Sequence, residues 1–594
     1  MSDRQLSQGT SNTKRRRVTR ACDFCHRRSI GCRPSDSSRT CQNCKDFGHQ
    51  CTYHREPRRR GVQPRASSRM SSSNAINTER NQQAIDSRND SWRAPRVASQ
   101  AVIVDLIDVY FEIVYPIFPI FHQPSFTRRI SRAEYMHDRA LFIVVMAMCA
   151  LVSRRIRDGA VSNPQWDLLS LQAVDTSTFM AHATAELASQ KPASDLNTLR
   201  AHAILAITSI QTGNIKDMHF HLGLYHTLVA MDMLHDESNW PKGINAIERE
   251  ERRRLFWSIY TLDIYTSVVW GGIVRCHERQ SRVAYPMEID DESLTDETAD
   301  QKILVREVFS PTALRRHDNT GISVDCWVSG WNFVTDLYRV LEHALARFHR
   351  SRNKANYAGQ GSLPNNIFLD ESCMIPEASV ADLVLQLYLD LPSCYKETPD
   401  MSFHNTRRDR IAFQAANITA TLQLVRIVLL ATSRGTVAAR CQIAREVLDS
   451  FASIPVTYLL AISTPLLHHL GGIGSILGSV LDEPCTGSEY RLVQSIMLSM
   501  AELLENLQPI QQGSGASQSL REKASQITAL IQSHGHLREA DSSANEQQSG
   551  DSVWPAGTQG KGQFDTTRED PLAQVQLDLL NPLAWNFDFG QYWN

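Results

Sequence analysis

The sequence predicts a mainly all-α protein with a small cysteine-rich module near its N-terminus. Three observations indicate this fold class. Six of the 13 cysteines fall between Cys22 and Cys51. From Ala101 onward, apolar residues recur at helical intervals, whereas the alternation typical of strands is scarce. Polar tracts rich in Ser, Asn and Gln lie before and after this body. The chain has 42% hydrophobic residues, which is enough for the body to bury a core.

Charge is divided unevenly along the chain. Residues 1–65 hold sixteen Lys or Arg and five Asp or Glu, a balance of +11; the whole chain has a net charge of −2, which leaves −13 for the remainder. A basic end on an acidic body is expected where that end meets a polyanion. The longest apolar run, Leu141–Val152, is too short to span a bilayer, and no apolar stretch follows the first basic residues. We therefore expect no membrane partner, no secretory signal and a compartment that keeps thiols reduced.

The clustered cysteines repeat one spacing. Each copy reads C-x2-C-x6-C, and eight residues separate the copies. Tetrahedral zinc takes four ligands, so six thiolates satisfy two zinc ions only if two of them bridge. The spacing predicts a binuclear cluster with two zinc ions, held by Cys22, Cys25, Cys32, Cys41, Cys44 and Cys51.

Two other interpretations of the cysteines stay open. Metal-free buried thiols would need a core that a thirty-residue segment cannot form alone. Two separate single-zinc sites would have three cysteines each and would recruit His26, His49 or His54. The duplication favours the shared cluster.

The duplicated pattern resembles the fungal binuclear zinc-cluster (Zn₂Cys₆) DNA-binding domain, which Ala21, Asp23, Arg28 and Ile30 also match. The resemblance implies a short helix and a strand in each half. It also implies bridging by the first and fourth cysteines, and a first helix that reads a CGG-like triplet in the major groove of duplex DNA. The bridging cysteines would be Cys22 and Cys41. The expected DNA-binding residues are Arg20, His26, Arg27, Arg28, Ser29, Arg33, Arg39 and Lys45.

Three positions depart from that family. Ser29 and Gly31 stand where basic residues are usual, and His26 stands where Arg is frequent. A basic side chain on a guanine edge discriminates by ~1–3 kcal/mol. We therefore expect general DNA affinity, carried by Arg27, Arg28 and the phosphate contacts, to survive better than triplet specificity.

The predicted organisation has five parts. They are a basic disordered arm (1–19), the zinc-cluster DNA-binding domain (20–61), a disordered linker (62–98), an all-helical regulatory domain (99–535) and a disordered tail (536–594). Basic runs at Lys14–Val18 and Pro57–Gly61 bracket the module. They are interpreted as nuclear-import signals or phosphate contacts, with solvated faces as the alternative. A nuclear location is expected, with import residues Lys14, Arg15, Arg16 and Arg17.

The body is predicted to be helical throughout. Pro116 and Pro119 end a first apolar helix within Leu106–Phe126. Loops are expected at Arg275–Thr320 and Ser351–Pro376. Further helices are expected at Leu141–Ile156, Asn197–Gln211, Asp217–Leu234, Glu250–Trp270, Arg410–Thr432, Leu492–Leu507 and Leu520–Gln532. In the fourth of these, Leu255, Ile259, Leu262, Thr266 and Val269 define a buried face.

Three stretches of the body resemble the fungal-specific regulatory domain that accompanies this zinc cluster, with the best match over 100–350. They begin at Tyr110, His219 and Glu251 and follow in the expected order. No constellation predicts an enzyme. The glycine-rich Gly471–Gly478 lacks the preceding strand that phosphate binding requires. Asp290, Asp291 and Glu292 are expected in a solvated loop.

The C-terminal residues 570–594 alternate acids with large apolar side chains, which is typical of an activation segment that docks on transcription coactivators. Docking of this segment on the body is the alternative. The activation residues expected are Trp585, Phe587, Phe589, Tyr592 and Trp593.

Together these features predict a fungal transcription factor that regulates RNA polymerase II genes as an activator. A repressor or a partner-dependent weak DNA binder is the alternative within this class. A zinc-stabilised module that binds protein or RNA is the alternative of another class. The sequence leaves a homodimer open.

Overall fold

The computed structural model describes residues 21–28, 32, 40–47, 50–53, 92–189, 195–270, 273–295, 326–356, 377–432, 436–462, 486–507, 517–518 and 520–528. The predicted basic arm, the linker as far as residue 91, the glycine-rich stretch and the tail lie outside these residues.

The prediction of a mainly all-α protein is confirmed. The α-helices are α1 Asp23–Arg27, α2 Gln42–Asp46, α3 Gln100–Ile113, α4 Gln123–Ser131, α5 Arg139–Arg157, α6 Leu168–Leu171, α7 Thr176–Ala188, α8 Leu196–Gln211, α9 Ile215–Met231, α10 Ala246–Trp270, α11 Trp327–Asn356, α12 Glu377–Leu389, α13 Thr406–Thr432, α14 Val437–Ala452, α15 Val456–Ile462 and α16 Gly487–Leu507. Short 3-10 helices lie at Glu134–Met136, Glu237–Asn239, Glu278–Gln280, Asp291–Ser293 and Ser393–Tyr395. The described residues contain no strand, only an isolated β-bridge between Asp236 and Arg282.

The chain divides into two compact units. One comprises residues up to Val104 together with Pro124–Phe142, and the other comprises Asp105–Gln123 and the residues from Ile143 onward. In the first unit, the Trp92 ring packs edge to face on Phe142, with centroids 5.6 Å apart.

The second unit holds most of the helical core. Helix α11 packs along α13, α8 packs along α9, and α14 packs on α16. The predicted inner face of α10, from Leu255 to Val269, is buried as expected. The segment Thr406–Leu429 of α13 is long and apolar enough to cross a membrane, but most of it is buried inside the protein, which is the environment of a core helix.

Helix boundaries follow the sequence signals in most places. Helix α3 ends at Ile113, shortly before Pro116, and the chain re-enters a helix at Gln123. The predicted loop at Ser351–Pro376 is wrong at its start, because α11 continues through Asn356. Five further residues of helix therefore extend past Ser351, where polar composition alone indicated a loop.

A second correction concerns Asp291, which is 2% exposed rather than solvated. Its Oδ2 accepts hydrogen bonds from the Tyr115 hydroxyl at 2.6 Å and the Gln123 amide at 2.8 Å. Its Oδ1 lies 2.6 Å from Nη1 of Arg254. Burial alone would raise the pKa of Asp291, but Arg254 and these donors hold it below its ordinary value. Asp291 therefore fastens the 273–295 segment to the helical core.

Candidate metal centre and nucleic-acid interface

The two short helices of the cysteine module begin in the same way. Cys22 and Cys41 each directly precede a helix, and the sulfur of each accepts a hydrogen bond from a backbone amide three residues later. The donors are the amides of Cys25 and Cys44, both at 3.4 Å. These bonds cap both helices, so the duplicated spacing produces a duplicated local structure.

The four thiols of the two C-x2-C pairs come together. The sulfur of Cys22 lies 3.8 Å from that of Cys41 and 3.5 Å from that of Cys44. The sulfur of Cys41 also lies 3.6 Å from that of Cys25. All four ligand atoms lie within 4.8 Å of one another. Two sulfurs bound to one tetrahedral zinc at ~2.3 Å lie roughly 3.8 Å apart, so these separations fit a shared metal centre.

The remaining two cysteines lie at the edge of this sulfur group. Cys32 and Cys51 are half-buried and pack against the buried thiols. Cys32 interacts with Cys41, and Cys51 interacts with Cys44. The Cys51 thiol also donates to the Tyr53 hydroxyl at 3.9 Å. The structure thus brings together all six cysteines singled out from the sequence, and all six are free thiols.

The pKa values of the four buried thiols are shifted in different directions. Burial raises the pKa values of Cys25, Cys41 and Cys44. Burial also opposes ionisation of Cys22, but donors on its sulfur, led by the Cys25 amide, lower its pKa to about 6. Zinc would hold all these groups as thiolates, so metal binding displaces protons.

Contacts outside the sulfur group complete the module. The Asp23 amide donates to the Thr52 carbonyl at 2.8 Å, and the Thr52 hydroxyl donates to Oδ2 of Asp23 at 2.9 Å. The rings of Phe24 and Phe47 lie 5.4 Å apart. Sequence reasoning missed Phe24, Phe47, Thr52 and Tyr53. The sequence feature that could have indicated a packed ring was Phe24, a large apolar residue between two predicted metal ligands.

The predicted DNA-binding residues are described only in part. Arg28 is half-buried directly after α1, and Lys45 is exposed on α2. His26 and Arg27 belong to α1. Arg20, Ser29, Arg33 and Arg39 lie outside the described residues, as do the predicted import and activation residues.

Comparison with known families identifies the body. Residues 107–374 match the family model of the fungal specific transcription factor domain. The chain carries a fungal specific transcription factor domain. This result confirms the resemblance deduced from the three stretches of the body. The match begins after the cysteine module, so it does not depend on the sulfur cluster.

Proteins of similar sequence include several fungal transcription regulators. The chain is 23% identical over 240 residues to "Activator of stress genes 1" of Saccharomyces cerevisiae, covering 38% of this chain and 24% of the relative. It is 23% identical over 199 residues to "Transcriptional activator protein acu-15" of Neurospora crassa, covering 32% and 20%. It is 30% identical over 129 residues to "Pyrimidine pathway regulatory protein 1" of Saccharomyces cerevisiae, covering 22% and 14%. The matches thus span about a quarter or less of these relatives.

Proposed function

We propose that the protein is a nuclear, zinc-dependent regulator of RNA polymerase II genes that binds duplex DNA through its cysteine module. The observation that carries this proposal is the convergence of six thiols in the basic end of a chain that also has a fungal specific transcription factor domain. The matched family is one of transcription factors, and no catalytic activity is proposed.

The sulfur positions support two zinc ions with Cys22 and Cys41 as bridges. Cys22 and Cys41 lie at the centre, and each is next to a thiol of the other C-x2-C pair. One ion would be held by Cys22, Cys25, Cys32 and Cys41. The other would be held by Cys22, Cys41, Cys44 and Cys51. When bound, zinc would hold the thiolates together and fix the two helices; it would supply structure rather than chemistry on a substrate.

DNA recognition is assigned to the basic residues around this cluster. The first helix, α1, carries Arg27 and is followed by Arg28, and the second carries the exposed Lys45. Arginine is suited to the guanine edge of a CGG-like triplet, whereas lysine on an exposed helix suits phosphates. Because Ser29 is short, Arg27 and Arg28 carry most of the base reading.

Activation is assigned to the C-terminal segment 570–594, which would recruit coactivators. Two of the relatives are named as activators, which favours activation over repression. One observation favours the alternative of a weak DNA binder that depends on a partner protein: positions 29 and 31 hold Ser29 and Gly31 instead of basic side chains.

The test is selection of duplex DNA by the full zinc-loaded chain at near-physiological salt, with zinc content measured on the same sample. We expect two zinc ions per chain and recovery of CGG-like triplets. Binding that depends steeply on salt without any sequence preference would instead favour the partner-dependent binder. Preference for RNA over duplex DNA would contradict the proposal.

A further inference from the structure

Phe24 occupies a special place in the module. It lies between the ligands Cys22 and Cys25 and is 5% exposed, although it is a large ring in a segment with few apolar residues. Its ring contacts the Phe47 ring at 5.4 Å with a tilt of 55°. Phe24 is therefore packed between the sulfur cluster and a ring of the second half of the module.

Arg28 lies directly over this ring. Its guanidinium carbon is 5.4 Å from the Phe24 centroid, within the range of a cation–π interaction. The Arg28 amide donates to the Phe24 carbonyl at 3.1 Å, which continues the helical turn and places the two side chains on one face. A guanidinium on an aromatic face keeps its N–H donors in its own plane, where they suit bidentate contacts to bases or phosphates.

The duplication makes this arrangement asymmetric. Arg28 is six residues after Cys22, and the residue six after Cys41 is Phe47. The first half therefore has a cation where the second half has an aromatic ring, and both side chains contact Phe24. As a result, the arginine of the first half packs on the Phe24 ring, and that ring is itself packed against Phe47.

We propose that Phe24 is a positioning residue for DNA recognition, and that its ring holds the Arg28 guanidinium for contact with the base edge. The inference rests on the proposed function and adds a specificity determinant to it. Phe24 itself contacts no DNA in this role. It restricts the rotamers of Arg28 before binding, so that less conformational entropy is lost in the complex.

The test is a double-mutant cycle in the full zinc-loaded chain. Phe24→Leu keeps an apolar side chain in the cluster and removes the π face, and Arg28→Ala removes the cation. The measured quantity is the ratio of affinities for the selected duplex and for a scrambled duplex at the same salt. We expect Phe24→Leu to lower this ratio about 3- to 10-fold when Arg28 is present, and to leave it unchanged in the Arg28→Ala background.

Two control variants separate positioning from folding. Phe24→Tyr retains an aromatic face and should keep the wild-type ratio. Phe47→Leu removes a ring from the same cluster but leaves the ring under Arg28, so its loss should be smaller. All variants should keep two zinc ions.

Failure of the positioning role and failure of the proposed DNA-binding function give different results. Equal losses from Phe24→Leu in both Arg28 backgrounds, or loss of zinc from this variant, would overturn the positioning role, since Phe24 would then act on the fold. A wild-type chain without any preference between the two duplexes would overturn the proposed function itself.

Discussion

The sulfur atoms of Cys22 and Cys41 lie 3.8 Å apart although 19 positions separate the two residues in sequence. This pair joins the two halves of the module at equivalent points, because each cysteine caps its own helix. If these two thiolates bridge two zinc ions, as proposed, the binding of each ion depends on the other. That dependence can be measured directly.

Replacing a bridging cysteine should remove more zinc than replacing a terminal one. Cys22→Ala takes a ligand from both ions, so we expect the zinc content of the full chain to fall from two to below one per chain. The matched variant Cys51→Ala takes a ligand from one ion only and should retain about one zinc. Metal analysis together with native mass spectrometry gives the stoichiometry. A Cys22→Ala chain that holds one zinc as tightly as wild type would disprove bridging.

Asp291 should be a determinant of body stability. Asp291→Asn leaves the buried Arg254 without one of its carboxylate partners and weakens the contacts of Tyr115 and Gln123. We expect a loss of about 3–5 kcal/mol in the free energy of unfolding, measured by urea denaturation. Glu292→Gln, at the neighbouring exposed position, is the control and should change it by less than about 0.5 kcal/mol. If Asp291→Asn and Glu292→Gln lowered the free energy of unfolding equally, the hydrogen bonds and ion pair of Asp291 would not stabilise the body.

Close packing of α11 against α13 should tolerate no methyl group at Gly330. A Cβ there would lie 2.8 Å from the Gln414 Cβ and 2.8 Å from Cε1 of Tyr395. Gly330→Ala should therefore destabilise the body by about 1–3 kcal/mol in urea denaturation, despite the better helix propensity of alanine. Gly223→Ala in α9 is the matched control, since its Cβ would meet nothing within 4 Å. It should be neutral or stabilising, and a stable Gly330→Ala chain would contradict the close approach.

The buried pair His202 and His221 should make stability depend on pH. Their Nδ1 atoms lie 3.1 Å apart between α8 and α9, and burial lowers the pKa of each from 6.5 to about 4. The unfolded chain therefore binds protons first as pH falls, so the contribution of the neutral pair is complete above pH ~6.5 and is lost towards pH ~4. The full loss is on the order of 3 kcal/mol per histidine.

The corresponding measurement is the thermal midpoint Tm between pH 7.5 and 5.5. Wild type should lose more Tm over this range than the His202→Gln, His221→Gln double variant, which lacks the titrating pair. Parallel pH profiles would rule out a contribution from the histidines.

The predictable parts of the molecule were those encoded by local spacing. The sulfur cluster follows from two copies of C-x2-C-x6-C, and α10 follows from apolar steps of three and four. The burial of Asp291 was not predictable, because its partner Tyr115 is 176 positions away and composition around Asp290 is that of a solvated loop. The extension of α11 beyond Ser351 likewise overrides a polar local sequence. Phe24 and Phe47 were missed because nothing local pairs their rings.

The bonds between Asp23 and Thr52 join the residue directly after the first cysteine of the module to the residue directly after the last one. The basic run that ends at Val18 is five positions before this tie, and the run that starts at Pro57 is five positions after it. Five residues of extended chain reach at most ~18 Å. Under the proposed function, this short tether would let the charges of both runs act on DNA as one polyvalent cation.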